Sequence, residues 1–398
     1  MNLFLLLVLL SPAAAEPALF VLDTAPGTVV RGSFEELRSD WSIRLGGTTG
    51  GIVAGSDVVA LRRSDRTLPA LPSTEHVILA NGDRMPGQVL DLAGQYLRFR
   101  FQDGNILSLP LSALLVVWFA APSGPETDES ADLSRLLRRL AAETRTRDVV
   151  LLRNGDIEKG ILTGLDAQLV RLDSDEKKLQ IDRNKVAAIA LNTELATMLR
   201  PPGRYGRVIL RDGCRLSLAS AQWSAGKTLS GVTLFRKPVI LTAEDIVAIY
   251  VFQGAAVYLS DLKPRETAYN FYGSETWPFV ADGTVDRRDL CLGGSTYDKG
   301  LGMHSETRLT YDLGGRYQRF EALVGLDPRT GQRGSVRLRV LVDGQDRIPG
   351  SLELTGQTLP TPLRIDVSKA RVLTLMVEFG NGGPVQDHVN WADARLIR

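Results

Sequence analysis

Between Phe20 and Phe252 the chain repeats one pattern: a short apolar segment, an Asn-Gly or Asp-Gly dipeptide, then three or four more short apolar segments. The clearest copy opens His76-Val-Ile-Leu-Ala-Asn81-Gly-Asp83. It continues through Gly87-Gln-Val-Leu, Tyr96-Leu-Arg-Phe-Arg-Phe101 and Ile106-Leu-Ser-Leu-Pro-Leu111, and ends at Leu115-Val-Val-Trp-Phe119. Another copy opens Asp148-Val-Val-Leu-Leu-Arg-Asn154-Gly-Asp156 and closes with Val186-Ala-Ala-Ile189. A further copy runs from Arg207-Val-Ile-Leu-Arg-Asp212-Gly213 to Ile246-Val-Ala-Ile-Tyr-Val-Phe252, and a fainter first copy from Phe20-Val-Leu to Val58-Val-Ala-Leu61. Asn-Gly and Asp-Gly accept the positive φ of a two-residue hairpin, so each unit reads as a strand, a tight turn and further strands. A unit this small buries a core only if its sheet curls closed or packs on a neighbour.

By pattern alone the units resemble small SH3-like or Sm-like β-barrels, placed at 16–66, 73–120, 148–192 and 204–254. Two connectors interrupt them. After Ala121-Pro-Ser-Gly-Pro125, within a linker at 124–147, Leu133, Leu136, Leu137 and Leu140 share one helical face. Asp128 and Glu129 start that helix and Arg135, Arg138 and Arg139 follow, an order that suits the helix dipole. Thr193 to Leu199 reads as a short helix stopped by Pro201-Pro-Gly203.

The N-terminus sets the expected compartment. Leu3 to Leu10 is an apolar run too short to span a bilayer, and Ala13-Ala-Ala15 has the small-residue spacing of a cleavage site. Residues 1–15 are therefore expected to be a signal peptide, and the protein to be secreted or held in the periplasm or envelope of a bacterium. No later stretch is apolar enough to cross a membrane. A net charge of +1 argues against a nucleic-acid partner, which usually meets a basic stripe. Arg98, Arg100, Arg153, Arg171 and Arg211 alternate with apolar residues as on any exposed strand face. Cys214 and Cys291 are too few for a disulfide framework; two buried, unlinked thiols are the plainer reading, and a single bridge between domains is the alternative. No nucleophilic, phosphate-binding or zinc motif is present, so the chain is read as non-enzymatic. His76, which opens a strand, reads as a surface residue.

Beyond Phe252 the pattern changes. Arg308-Leu-Thr-Tyr-Asp-Leu313 alternates as a half-buried strand does, and Gly314-Gly315 frees the backbone to reverse. Gly300 and Gly302 suit a segment that approaches other backbone closely, which puts His304 at a loop-to-strand junction, where sandwich domains carry binding residues. The run Tyr297-Asp-Lys-Gly-Leu-Gly-Met-His304 to Gly315 resembles the core motif of the NPCBM family of carbohydrate-binding modules. Tyr258-Leu-Ser-Asp261 is similar to that family's opening strand, Gly334-Ser-Val336 through Val342-Asp-Gly344 to its central hairpin, and Trp391 to Leu396 to its closing strand. The resemblance implies a C-terminal jelly-roll β-sandwich of the galactose-binding-like type at 257–398, so that with the tandem small barrels and connecting helix read above the expected chain is all-β. It also implies a glycan or polysaccharide partner, with galactose-containing glycans recognised by some members. Phe271-Tyr-Gly273, Asp327-Pro328 and Asp387-His-Val-Asn390 depart from the family pattern.

Sugar sites pair an aromatic platform with a few fixed polar groups. Tyr272, Trp277 and Trp391 are the candidate platforms; His304, Arg308, Asn390 and Asp393 are candidate hydroxyl partners. The competing reading packs Trp391 in the core and pairs Arg308 with Asp393. Asp282, Asp286 and Asp289 have the spacing of a loose Ca2+ loop, a candidate structural site. The expected function is glycan binding by the C-terminal domain, with the barrels offering a surface to other envelope proteins. Two alternatives stand beside it: a structural envelope protein that has lost sugar binding, and a glycoside hydrolase-associated enzyme with a diffuse site.

Overall fold

The computed structural model describes residues 19–47, 51–101, 104–120, 129–175, 177–224, 226–269, 277–348 and 352–398, with the backbone alone for 129–134. The signal-peptide expectation at 1–15 and the candidate Tyr272 lie outside these residues. Among the described residues the protein is all-β apart from the helix Glu129–Ala142 and short 3-10 turns.

Each repeat is a curled meander whose last strand returns to its first. His76–Leu79 pairs with both Arg84–Pro86 and Leu114–Trp118. Asp148–Leu152 pairs with Ile157–Leu165 and Val186–Ala190, and Tyr205–Leu210 with Arg215–Ser224 and Ile246–Phe252. Leu19–Thr24 pairs with Val29–Leu37 and Val58–Arg63. In the second, third and fourth repeats a 3-10 turn precedes the returning strand. The turn glycines Gly82, Gly155 and Gly213 have φ between 85° and 89°, as the Asn-Gly and Asp-Gly dipeptides predicted.

The repeats then pair with each other through those last strands, first with fourth and second with third. Tyr250 faces Ala60 and Ile249 faces Leu61; Val117 faces Ile189 and Trp118 faces Ala188. Ile246–Phe252 and Val186–Ala190 are consequently buried at every residue, which explains why they are unbroken apolar runs instead of alternating ones. One hydrophobic core runs through all four repeats. The helix lays Leu137 and Leu140 against Ile78, Trp118 and Ala188.

Two readings need correction here. His76 is fully buried, with Nδ1 2.6 Å from the Thr74 carbonyl oxygen and its ring near Trp118; burial takes its pKa down to about 4. Its strand opens inside the junction between repeats, which the local sequence does not show. The expected helix at Thr193 to Leu199 is only a 3-10 turn, Thr193–Leu195, capped by the Asn192 side chain. Cys214 and Cys291 are unlinked.

The C-terminal residues form two packed six-stranded sheets. One runs Val280–Ala281, Gly300–Met303, Val389–Ile397, Arg319–Leu326, Thr361–Asp366, with Ala256–Tyr258 on the far side of Val389–Ile397; the other includes Thr307–Asp312, Val372–Phe379 and Ser335–Val342. The expected opening strand at Tyr258 to Asp261 is the end of Ala256–Tyr258 followed by a 3-10 turn. The sandwich is seated on the first and fourth repeats through its own apolar cluster, in which Val59, Val247, Tyr250 and Phe252 meet Tyr258, Leu290, Leu292 and Ile397. Arg215, 1% exposed, crosses the same junction to Asp298 at 3.1 Å.

Candidate functional site

Strand register builds the site. Met303 pairs with Val389 and Val280 with Gly302, so the residues just beyond these pairs, His304, His388 and Trp277, gather at one end of the sheet. Close backbone approach makes this possible. A Cβ on Gly302 would lie 2.4 Å from the Gly283 carbonyl oxygen, and one on Gly300, at φ +148°, 2.3 Å from that of Trp391. Trp277 and His304 stack with ring centroids 5.4 Å apart and planes 14° from parallel. His388 closes the triangle at 5.3 Å from Trp277 and 5.5 Å from His304, edge-on to the latter.

The polar atoms around these rings are short of partners. His388 Nδ1, Asn390 Oδ1 and Asp387 Oδ2 are buried and find no hydrogen-bond partner among the described residues. The other Asp387 oxygen accepts from the Ser335 amide at 2.9 Å, and Asn390 donates to the Cys291 carbonyl oxygen at 3.2 Å. Burial pushes the Asp387 carboxyl up to about 6, against the hydrogen bonds from Ser335 and Ser305. Burial also takes His304 down to about 4, helped by His388, and lowers His388 itself. At neutral pH both imidazoles are uncharged, each with one N–H and one bare nitrogen, and His304 Nδ1 already pairs with the Ser305 hydroxyl at 3.3 Å. Asp327 stands close by but is fully engaged with Arg329.

The structure thus brings Trp277 and His304 together and sets Asn390 beneath them. It separates the remaining candidates. Trp391 is completely buried against Phe320 in the sandwich core, so it presents no face to a sugar; its place in the central strand of the sheet decides this. Asp393 is buried at the junction and pairs with Arg62 of the first repeat, not with Arg308. Arg308 lies exposed on the other sheet, lining a separate depression with Glu306 and Met376. The Ca2+ reading also fails. Lys299 holds Asp282 at 2.6 Å, Arg135 and Arg288 hold Asp286, and Arg138 reaches Asp289 at 3.5 Å. These carboxylates are already neutralised by cations, and no metal-holding group of His, Cys, Asp or Glu is found among the described residues. His388 and Asp387 were missed as site residues. The departure of Asp387-His-Val-Asn390 from the family pattern was the available signal.

Residues 255–397 match the family described as NPCBM/NEW2 domain. This part of the chain is an NPCBM/NEW2 domain. A Renibacterium salmoninarum protein named "Putative endo-alpha-N-acetylgalactosaminidase" is 28% identical over 112 residues, 28% of this chain and 7% of that protein. The chain therefore spans a small fraction of the length of this curated relative. Among solved structures, the CBM51 of Clostridium perfringens GH95 in complex with methyl-galactose is 27% identical, covering 35% of this chain and 99% of that one at a TM-score of 0.32. The CBM51-2 and INT domains of Clostridium perfringens ZmpB, solved with GlcNAc, are 22% identical, covering 43% of this chain and 36% of that one at a TM-score of 0.33. The two packed sheets of the NPCBM/NEW2 domain form the expected β-sandwich. No helix among the described residues is long and apolar enough to cross a membrane.

Proposed function

We propose that the protein is a secreted, non-enzymatic glycan-binding protein of a bacterial envelope, which holds a galactose-containing sugar at the Trp277, His304 and His388 cluster. One observation carries this reading: an aromatic face coincides with buried polar atoms on His388, Asn390 and Asp387 that have no partner among the described residues. A pyranose has a C–H face that stacks on an indole and hydroxyls that both donate and accept, and neutral imidazoles match such hydroxyls. A buried polar atom left unpaired costs stability, and it is retained where a ligand supplies the missing hydrogen bond. In this reading the four repeats are a scaffold that also offers a surface to other envelope proteins.

A glycan array probed with the full chain tests the reading. The name of the Renibacterium relative sets the probes: galactosides and N-acetylgalactosaminides beside glucosides and mannosides. Binding confined to one class, and abolished by His388→Ala in a protein that melts normally, is the expected result. A flat array from a folded protein overturns it.

A further inference from the structure

An open cavity of about 870 Å³ lies where the second repeat, the helix Glu129–Ala142 and the sandwich meet. Trp277, His304 and His388 do not line it, so it is distinct from the glycan site. Its walls are of two kinds. Leu79 and Leu115 from the repeat, Leu136 from the helix and Phe279 from the sandwich make an apolar floor. Around them stand five arginines, Arg84, Arg135, Arg138, Arg139 and Arg287, with Asp286 as the one lining carboxylate.

The balance of charge is therefore positive, and the acids close by are already committed. Asp286 is held by Arg288 and Arg135, while Asp289 is shared between Arg138 at 3.5 Å and Arg84 at 4.0 Å. Arg139 and Arg287 are exposed and pair with no carboxylate among the described residues. Arg84 is only 7% exposed, and its Nη1 is buried with no acceptor among the described residues. Burial lowers its pKa, with Arg138 and Arg215 adding to the effect, and Asp289 and Asp298 offset this only in part. A buried guanidinium in this condition is costly unless something supplies further oxygen acceptors. Guanidinium forks favour carboxylate and sulfate oxygens, and the apolar floor favours hydrocarbon.

We infer that this junction cavity binds an anionic amphiphile, an acidic head on a hydrocarbon body, with Arg84, Arg139 and Arg287 supplying the positive field for the head and Leu79, Leu136 and Phe279 the surface for the body. The site is made jointly by repeat, helix and sandwich, so it exists only in the assembled chain. It does not depend on the glycan reading.

The test uses the full chain and 8-anilinonaphthalene-1-sulfonate, a fluorescent aromatic anion. One saturable site is expected, from which laurate displaces the dye and uncharged dodecanol does not. Replacing Arg139→Ala and Arg287→Ala together, both exposed, should leave melting unchanged and weaken laurate about tenfold, roughly the sum of two partly screened charge contacts. The proposal is overturned by absence of saturable dye binding or of laurate displacement. Equal displacement by dodecanol, or laurate affinity indifferent to the double substitution, also overturns it.

Discussion

Two buried regions of the sandwich treat their carboxylates in opposite ways. At the junction with the repeats, burial pushes Asp298 up, but Arg215 and Arg207 outweigh it and hold the carboxyl below the usual range; Asp393 is likewise matched with Arg62. At the Trp277 end, Asp387 is fully buried, has no cationic partner among the described residues, and is pushed up to about 6. A buried charge with its counter-ion is a device for holding two surfaces in register. One without a counter-ion is a cost that packing alone does not explain, and perturbed groups of that kind gather at binding sites. The contrast distinguishes the seam from the proposed site, although residue types are much the same in both.

The largest expected effect lies in the seam. Arg215→Ala leaves Asp298 buried with one distant partner, Arg207 at 3.6 Å, and should cost about 3 to 5 kcal/mol in urea unfolding. Replacing Asp298 by Leu together with Arg215 by Met should restore much of this. If the single change costs under about 1 kcal/mol, the seam is not locked by charge and the comparison breaks.

In the site the sign reverses. Asp387 carries a raised pKa, so the folded state is penalised above pH 6 and relieved as pH falls toward 4. Asp387→Asn should therefore stabilise the protein at pH 7 by about 1 to 3 kcal/mol while abolishing glycan binding. His304 works in the other direction: its pKa is lowered to about 4, so stability is full above pH 6.5 and falls as pH drops toward 4. In the wild type these slopes oppose each other between pH 6 and 4. Buried His76, also taken down to about 4, titrates with the same sign, so the Asn variant should expose a combined histidine slope, a loss of up to about 3 kcal/mol per ring over that window in pH-resolved melting. A variant that is destabilised at pH 7 would assign Asp387 to structure instead.

The smallest effect on stability is expected for Trp277→Ala. Its ring is only half-buried, so the change should cost about 1 kcal/mol or less, well below the 3 to 5 kcal/mol typical of a buried Trp such as Trp391. Glycan binding should nevertheless be lost. Comparing the two substitutions by melting and by array signal distinguishes platform from core directly.

Local chemistry made much of the fold legible. Asn81-Gly82, Asn154-Gly155 and Asp212-Gly213 mark their hairpins because few residues tolerate positive φ, and the alternation in Arg308 to Leu313 marks a strand with one buried face. The apolar face of the helix at Leu137 and Leu140 was equally plain. Trp277 and His304 were selected for their chemistry, and strand register places them in contact.

The sequence by itself determined that the chain is a string of short hairpin-built β-units with an NPCBM-like end, because turn geometry and side-chain alternation act over a few residues. Only the tertiary structure decided that the first repeat pairs with the fourth and the second with the third. It also decided that Trp391 and Asp393 are interior, and that the aspartates at 282, 286 and 289 meet arginines and a lysine instead of a metal. Those outcomes depend on which distant strand or guanidinium arrives opposite a given residue, and nothing in the neighbouring sequence encodes that arrival.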